Sequence, residues 1–350
     1  MSLKIGIVGL PNAGKSTLFN ALVERAKAQV GSYPFTTIDK NLGTVSVPDE
    51  TLFKLASLEN IGKVTQTTIE FVDIAGLIKG ASVGEGLGNQ FLHHIREVDL
   101  ILHVLRYFKD KDIPHIHPKI DPEEDLAIVN EELLFADLQT LEKKLKQEKI
   151  TGEERNLFQK LMNQMNEGKK ASDIDFSEKE KTLIKTLNLL TAKKQLIVAN
   201  IDEKDISNPP KTVDNQPVIP ICAKLEAELN TLPWVEQQRF LKVYGLLKSA
   251  KDRIIMECYQ ALEVITFYTI AKRTEAKAWT LKKGKTALDA AAKVHTDFAK
   301  NFVKVEVILA KDLIALGGWQ KAKEQGKILL EGRDYKVKDG DVLEFKVAIK

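Results

Sequence analysis

Five short, continuously apolar and β-branched runs alternate with helix-period segments over the first two thirds of the chain. They are Lys4–Val8, Thr67–Val72, Leu100–Leu105, Gln195–Ala199 and Val218–Ile221. Continuous apolar runs, unlike alternating ones, belong to strands buried on both faces, so an α/β fold with a parallel sheet flanked by helices is expected. Ser16–Ala26 reads as a helix with Leu18, Phe19, Leu22 and Val23 on its buried side. Between Asp121 and Thr191 the rhythm changes. Leu134, Leu138, Leu141 and Leu145 form the seam of a coiled-coil arm or helical hairpin. Thr151-Gly152-Glu153-Glu154 reads as a turn and a new helix start, Leu157, Leu161 and Met165 as its apolar stripe, and Gly168 as its stop. Such a stripe is core packing by default; its functional reading is an arm that touches a partner. After Ile265, short strands at Thr266–Ala271, Ala278–Leu281, Val303–Leu309 and Val342–Val347 surround a helix near Thr286–Lys300, with a turn at Asp339-Gly340. The expected organisation is 1–120 with 191–264 as one α/β domain, 121–190 as a helical insertion, and 265–350 as a small α+β domain.

Composition narrows the class. With 43% apolar and 29% charged residues over 350 positions, the chain is an ordinary soluble one. No apolar run approaches the roughly 20 residues of a membrane span, and Met1–Lys4 lacks the shape of a signal peptide. Cys222 and Cys258 have no metal-type spacing, which excludes a disulfide framework and argues against a zinc site; a reduced, cytoplasmic protein is expected. The net charge of +3 conceals an asymmetry: Thr266–Lys350 holds 18 Lys+Arg and 11 Asp+Glu, the rest 34 and 38. A basic C-terminal module suggests a polyanion partner such as RNA, with a solvated lysine-rich surface as the alternative. Neither membrane nor DNA is an expected partner.

The chemistry is concentrated in Gly9-Leu10-Pro11-Asn12-Ala13-Gly14-Lys15-Ser16-Thr17, which fits the phosphate-loop pattern G-x-x-x-x-G-K-S/T between a strand and a helix. Its glycines let backbone N–H groups of Asn12, Ala13 and Gly14 wrap phosphate oxygens, and the helix N-terminus adds a positive dipole end. Lys15 would reach the β- and γ-phosphates, Ser16 would hold Mg²⁺, and Thr17 completes the cradle. Asp73, in Phe71-Val72-Asp73-Ile74-Ala75-Gly76, stands at a strand end where an acid supports the Mg²⁺ shell through water. The Gly76 N–H would face the γ-phosphate. In Tyr33-Pro34-Phe35-Thr36-Thr37, a loop threonine is the candidate second hydroxyl ligand to Mg²⁺, on a segment ordered by the γ-phosphate; resemblance to nucleotide switches favours Thr37, with Thr36 read as a turn cap. Gly80, Gly84, Gly86 and Gly88 mark a second switch.

Asn200-Ile201-Asp202-Glu203 occupies the base-recognition position. The guanine-specific pattern N-K-x-D uses its Asp on N1–H and the 2-amino group; here Glu203 stands at that position and Ile201 replaces the Lys. Adenine has neither donor, whereas Asn200 can still pair with N6 and N7. Ile201 is expected to cover the base, and Cys222, in Cys222-Ala223-Lys224, to back it. ATP is favoured over GTP.

These motifs, in this order, resemble the YchF family of Obg-like ATPases. The match takes in Gly9–Thr17, Tyr33–Ile38, Phe71–Gln90, Asn200–Glu203, and the run from Ala278 through His295-Thr296-Asp297-Phe298 to Asp339–Val342. The resemblance implies a P-loop domain, a helical insertion and a C-terminal ubiquitin-like TGS domain. It also implies ATP hydrolysis exceeding GTP hydrolysis, ribosome association, and a role in translation or stress responses. Leu77 follows the D-x-x-G glycine where many related GTPases place a water-orienting Gln, so intrinsic hydrolysis should be slow. His115 matches a family histidine proposed to act there, with His93, His94 and His117 as alternatives. Asn12 matches a position that helps hold K⁺ in some related proteins, or else it only bonds loop backbone. Two further readings stay open: an Obg-group GTPase, and a nucleotide-sensing scaffold with incidental hydrolysis.

Overall fold

The computed structural model describes residues 3–23, 42–74, 87–147, 149–246, 248–271 and 274–348. Thr37, Gly76 and Leu77 lie outside them. The described residues fall into two compact units, Met1–Val45 with Ile69–Ile254, and Ser46–Thr68 with Ile255–Lys350.

The chain begins with β1 (Leu3–Val8) and α1 (Lys15–Leu22), followed by β2 (Leu42–Ser46), α2 (Glu50–Leu58), β3 (Lys63–Thr65) and β4 (Thr68–Asp73). Next come α3 (Leu87–Arg96), β5 (Leu100–Arg106), α4 (Pro122–Leu145), α5 (Gly152–Asn166) and α6 (Glu178–Lys185). β6 (Lys194–Asn200), β7 (Thr212–Val213), β8 (Gln216–Ile221), α7 (Ala223–Leu229), α8 (Trp234–Val243) and α9 (Ala250–Ala261) close this part. The larger sheet has the order β2-β4-β1-β5-β6-β8-β7. From β4 to β8 the neighbours pair in parallel, and β7 is antiparallel to β8. Every residue of β5 is buried, as its unbroken apolar run requires of a central strand. All five strands expected from the apolar runs form, within one or two residues of the expected ends. Val8, Ile74, Phe91, Ile95 and Ile101 share one core cluster with Ile128, Val129 and Leu133 of α4. The first half of the insertion is thus packed into the α/β core.

The second half of the insertion has its own core. Leu141, Leu157, Leu161 and Met165 are buried together, with Leu134, Leu138 and Leu145 partly buried beside them. The expected two-helix seam forms. Capping boxes start α5 at Thr151 with Glu154 and α6 at Ser177 with Glu180, each satisfying N–H groups that would otherwise lack partners. Asp137 then ties α4 to the stretch leading into β6: its carboxylate accepts from the N–H groups of Leu190 (2.7 Å) and Thr191 (2.8 Å) and from the Thr191 hydroxyl (2.7 Å).

The second unit continues with β9 (Val264–Ala271), β10 (Glu275–Lys282), α10 (Ala287–Val294), α11 (Thr296–Lys300), β11 (Phe302–Leu309), α12 (Ala310–Leu316), α13 (Trp319–Glu324), β12 (Leu329–Glu331) and β13 (Asp341–Val347). Its sheet order is β12-β11-β13-β9-β10-β3. The single helix expected near Thr286–Lys300 is two. His295 adopts φ −161° and ψ 141°, and its ring accepts from the Asp297 N–H at 3.2 Å, capping a new start. The segment Ser46–Thr68, which the sequence reading kept within 1–120, packs in this unit instead. Leu52, Leu55 and Ala56 of α2 are buried with Tyr268, Ile308 and Leu313, and β3 pairs with β10. The Asp49 carboxylate both caps α2, accepting from Leu52 N–H at 2.9 Å, and accepts from the Tyr268 hydroxyl at 3.2 Å. Among the described residues no helix is long and apolar enough to cross a membrane.

Candidate functional site

Parallel sheets place ligand-binding loops at the carboxyl ends of their strands, and the ends of β1, β4, β5, β6 and β8 meet here. After β1, Gly9 has φ +150° and Gly14 φ +90°. A side chain at Gly9 would meet the Val104 carbonyl oxygen at 2.4 Å, and one at Gly14 the Asn200 Nδ2 at 2.2 Å. Both positions demand glycine on two counts, left-handed backbone and close approach. Asn12 also takes positive φ (61°). Gly14 ends the loop as the residue before α1, whose first N–H groups lack intrahelical partners as at any helix start and so suit an anion.

Lys15 is 8% exposed and its Nζ donates to the Leu10 carbonyl at 2.8 Å. Burial lowers its pKa to about 8, against the opposing pull of Asp73. An ammonium held on one carbonyl with so much of its charge desolvated is poised for a polyanion. The Ser16 hydroxyl donates to Asp73 Oδ2 at 2.8 Å. The strand end of β4 and the start of α1 therefore deliver two hard oxygen donors to one point, a donor set that fits Mg²⁺. Thr17 follows on α1 and is exposed.

Asn200, 5% exposed, closes the site from β6. Its Nδ2 donates to the Ala13 carbonyl at 3.0 Å and its Oδ1 accepts from the Ala223 N–H at 3.2 Å. The side chain is a strut between the phosphate loop and α7, and the second Nδ2 hydrogen is the one left to offer a base. Cys222 is the residue before α7, 9% exposed in the β6–β8 core, with burial pushing its thiol pKa up. Ile201 is 4% exposed in that same core, and its N–H donates to the Ile221 carbonyl at 2.9 Å. Glu203 is exposed and accepts a hydrogen bond from the Tyr244 hydroxyl, whose ring stacks on Phe240 at 4.7 Å. Asp202 points elsewhere, accepting from the Lys109 N–H at 3.1 Å.

Sequence reasoning missed the loop after β5. Arg106 is 1% exposed, and its guanidinium donates to the carbonyls of Phe108, Asp110, Ile113 and Pro114. Phe108 lies under that guanidinium (4.4 Å) and beside Gly14, and its N–H donates to the Asn200 carbonyl at 3.1 Å. The available signal was positional: Phe108 lies just beyond the end of the central strand β5, whose neighbour β6 ends on Asn200. The Pro114 carbonyl also accepts from Asn12 Nδ2 at 2.9 Å, so Asn12 does bond loop backbone, through its nitrogen. The oxygen that a cation would need is not used in that bond. His115 follows on the same loop, but its ring is turned to Asp125 of α4 at 3.1 Å. His93 and His94 lie exposed on α3.

Comparison with known proteins agrees with this geometry. Residues 4–150 match a family model described as a 50S ribosome-binding GTPase, and residues 264–348 match the YchF-GTPase_C model, described as a protein of unknown function. A ribosome-binding ATPase YchF of Bacillus subtilis is 43% identical, with 99% of each chain covered. That of Mycoplasma genitalium is 46% identical, covering 98% of this chain and 99% of the relative. A solved structure titled as the Schizosaccharomyces pombe YchF GTPase superposes with a TM-score of 0.87 at 33% identity, covering 99% of this chain and 98% of that one. The chain belongs to the YchF family of Obg-like ATPases.

Proposed function

We propose that this protein is a slow, ATP-hydrolysing switch that associates with ribosomes. The observation that carries the reading is Asn200-Ile201-Asp202-Glu203 at the base position of an intact phosphate-loop site. Guanine specificity needs a carboxylate of Asp length at position 203, and the Glu203 carboxylate is instead engaged by Tyr244. The curated relatives are named ribosome-binding ATPases, while the fission-yeast structure is titled a GTPase; the residues of this site side with the former.

The chain's own groups divide the work. Triphosphate oxygens would replace the Leu10 carbonyl as partners of Lys15, which offsets charge as it develops on the bridging oxygen. Backbone N–H groups from Asn12 to Thr17 would hold the phosphates, and the Gly76 N–H is assigned to the γ-phosphate. The spare Asn200 N–H reaches the adenine edge, and Phe108 supplies an apolar flank beside Gly14. Ser16, Thr37 and Asp73 would hold Mg²⁺, Asp73 through water. When bound, the ion would supply positive charge that offsets the negative charge of the phosphates. Leu77 cannot orient water, so His115 is assigned that task. Asn12 is assigned to K⁺, which would stand in for an arginine finger. Residues 121–190 and the basic 265–350 TGS module are assigned to ribosome or RNA contact, in the cytoplasm.

The test is nucleotide binding and hydrolysis measured together, in KCl and in NaCl at matched ionic strength, with and without ribosomes. ATP should bind more tightly than GTP and turn over slowly. Equal rates in the two salts remove K⁺ from the account. GTP bound tenfold more tightly than ATP would establish the Obg-group GTPase reading instead.

A further inference from the structure

His115 does not face the phosphates in this structure. Its Nε2 lies 3.1 Å from Asp125 Oδ2, and its Nδ1 accepts from the His117 N–H at 3.2 Å. Because Nδ1 accepts a backbone N–H, the hydrogen-bond network puts the ring proton on Nε2, which donates to the carboxylate. Both ring nitrogens are occupied, and neither is left for an attacking water. The side chains are 6% and 3% exposed, so the ring is sequestered against α4.

The pair is incompletely satisfied. Asp125 Oδ1 and His117 Nε2 are buried and have no hydrogen-bond partner among the described residues. A well-made structural pair has its polar atoms matched; here His115 is fully matched while the Asp125 carboxylate keeps one buried oxygen without a partner, which makes the pair a candidate for rearrangement. The neighbouring backbone, in contrast, is firmly held. Arg106 grips the carbonyls of Phe108, Asp110, Ile113 and Pro114 from within the core, and Asn12 adds a second bond to Pro114. His115 is the residue immediately after this anchor. Its main chain is therefore tied to the phosphate loop while its imidazole is tied to α4. Rotation about the His115 side-chain bonds would exchange one partner for the other.

We propose that Asp125 is a positioning residue that holds His115 in a withdrawn state, and that loss of the Asp125–His115 hydrogen bond releases the imidazole toward the phosphate loop. This rests on the reading of His115 as the hydrolytic group. The slow turnover expected from Leu77 then has a second source: only the fraction of molecules with His115 released is competent, and the observed rate scales with that fraction.

The test uses full-length protein and five forms: wild type, Asp125→Asn, Asp125→Ala, His115→Ala and the double variant Asp125→Ala/His115→Ala. Steady-state kcat, ATP Kd and thermal midpoint are measured for each. Loss of a hydrogen bond to a charged acceptor should raise kcat by about tenfold or more in Asp125→Ala at unchanged ATP Kd. Asp125→Asn, whose amide oxygen still accepts from Nε2, should raise it less. The double variant should fall to the His115→Ala level. A kcat at or below wild type in Asp125→Ala overturns the proposal and makes Asp125 an orienting partner instead. Should Asp125→Ala fail to fold, Asp125→Asn decides by the same criterion. A His115→Ala variant with wild-type turnover would separately refute the hydrolytic role of His115. Imidazole ¹⁵N shifts of the nucleotide-free protein give a readout independent of activity: a neutral Nε2–H tautomer at His115 is required, and the Nδ1–H tautomer contradicts the latch.

Discussion

Lys15 shows how one residue converts burial into a measurable proton count. Its folded pKa of about 8 lies below the ordinary lysine value of 10.5 because burial disfavours the ammonium. Between those two values the unfolded chain binds more protons than the folded one, so stability rises with pH across roughly pH 8 to 10.5. The depression corresponds to about 3 kcal/mol carried below pH 8 by the nucleotide-free site. Phosphate oxygens restore the charge. ATP binding at pH 8.5 should therefore take up protons, and calorimetry in buffers of different ionisation enthalpy would detect it; no uptake would show that Lys15 is already fully charged. Asn200 makes a second residue-scale case. Asn200→Ala removes a buried strut to Ala13 and leaves the Ala223 N–H unmatched. The expected cost is about 1–3 kcal/mol of stability, with ATP binding weakened at least tenfold in equilibrium titration. The glycines, Lys15, Ser16 and Asp73 were legible in the sequence because phosphate chemistry fixes their spacing. The Arg106 fork was not, since its partners are backbone carbonyls, which carry no residue-type signature.

At the scale of elements, the insertion is two structures in one. The start of α4 shares the α/β core, whereas α4's second half and α5 bury Leu141, Leu157, Leu161 and Met165 among themselves. Leu161→Ala should cost about 2–5 kcal/mol by cavity formation. Thr151→Ala should cost only about 1 kcal/mol, since it removes one cap from an exposed helix start. Urea denaturation followed by helical circular dichroism distinguishes the two; equal effects would mean that Leu161 contributes no more than the cap and that this core does not hold α5 in place. The leucine seam and the start of α5 at Thr151 were readable from period and capping residues. The affiliation of α2 was not: its apolar face meets Tyr268, Ile308 and Leu313, and no local pattern names a partner so distant in the chain. The break at His295 was hidden for the opposite reason. The apolar period continues through it, and only the ring's bond to the Asp297 N–H marks a new start.

For the whole molecule, the claim is that an adenine-nucleotide site serves ribosome contact. Lys282 and Lys283 are exposed at the end of β10 in the basic C-terminal unit. If that unit contacts ribosomal RNA, Lys282→Glu with Lys283→Glu should weaken co-sedimentation with ribosomes and flatten its salt dependence, because fewer counterions are released. ATP turnover in the absence of ribosomes should not change. The most direct measurement remains base choice at Asn200–Glu203. Equilibrium titration of purified protein with ATP and GTP, in Mg²⁺ and K⁺ buffer, should give tighter binding of ATP. Tenfold tighter binding of GTP would contradict the account.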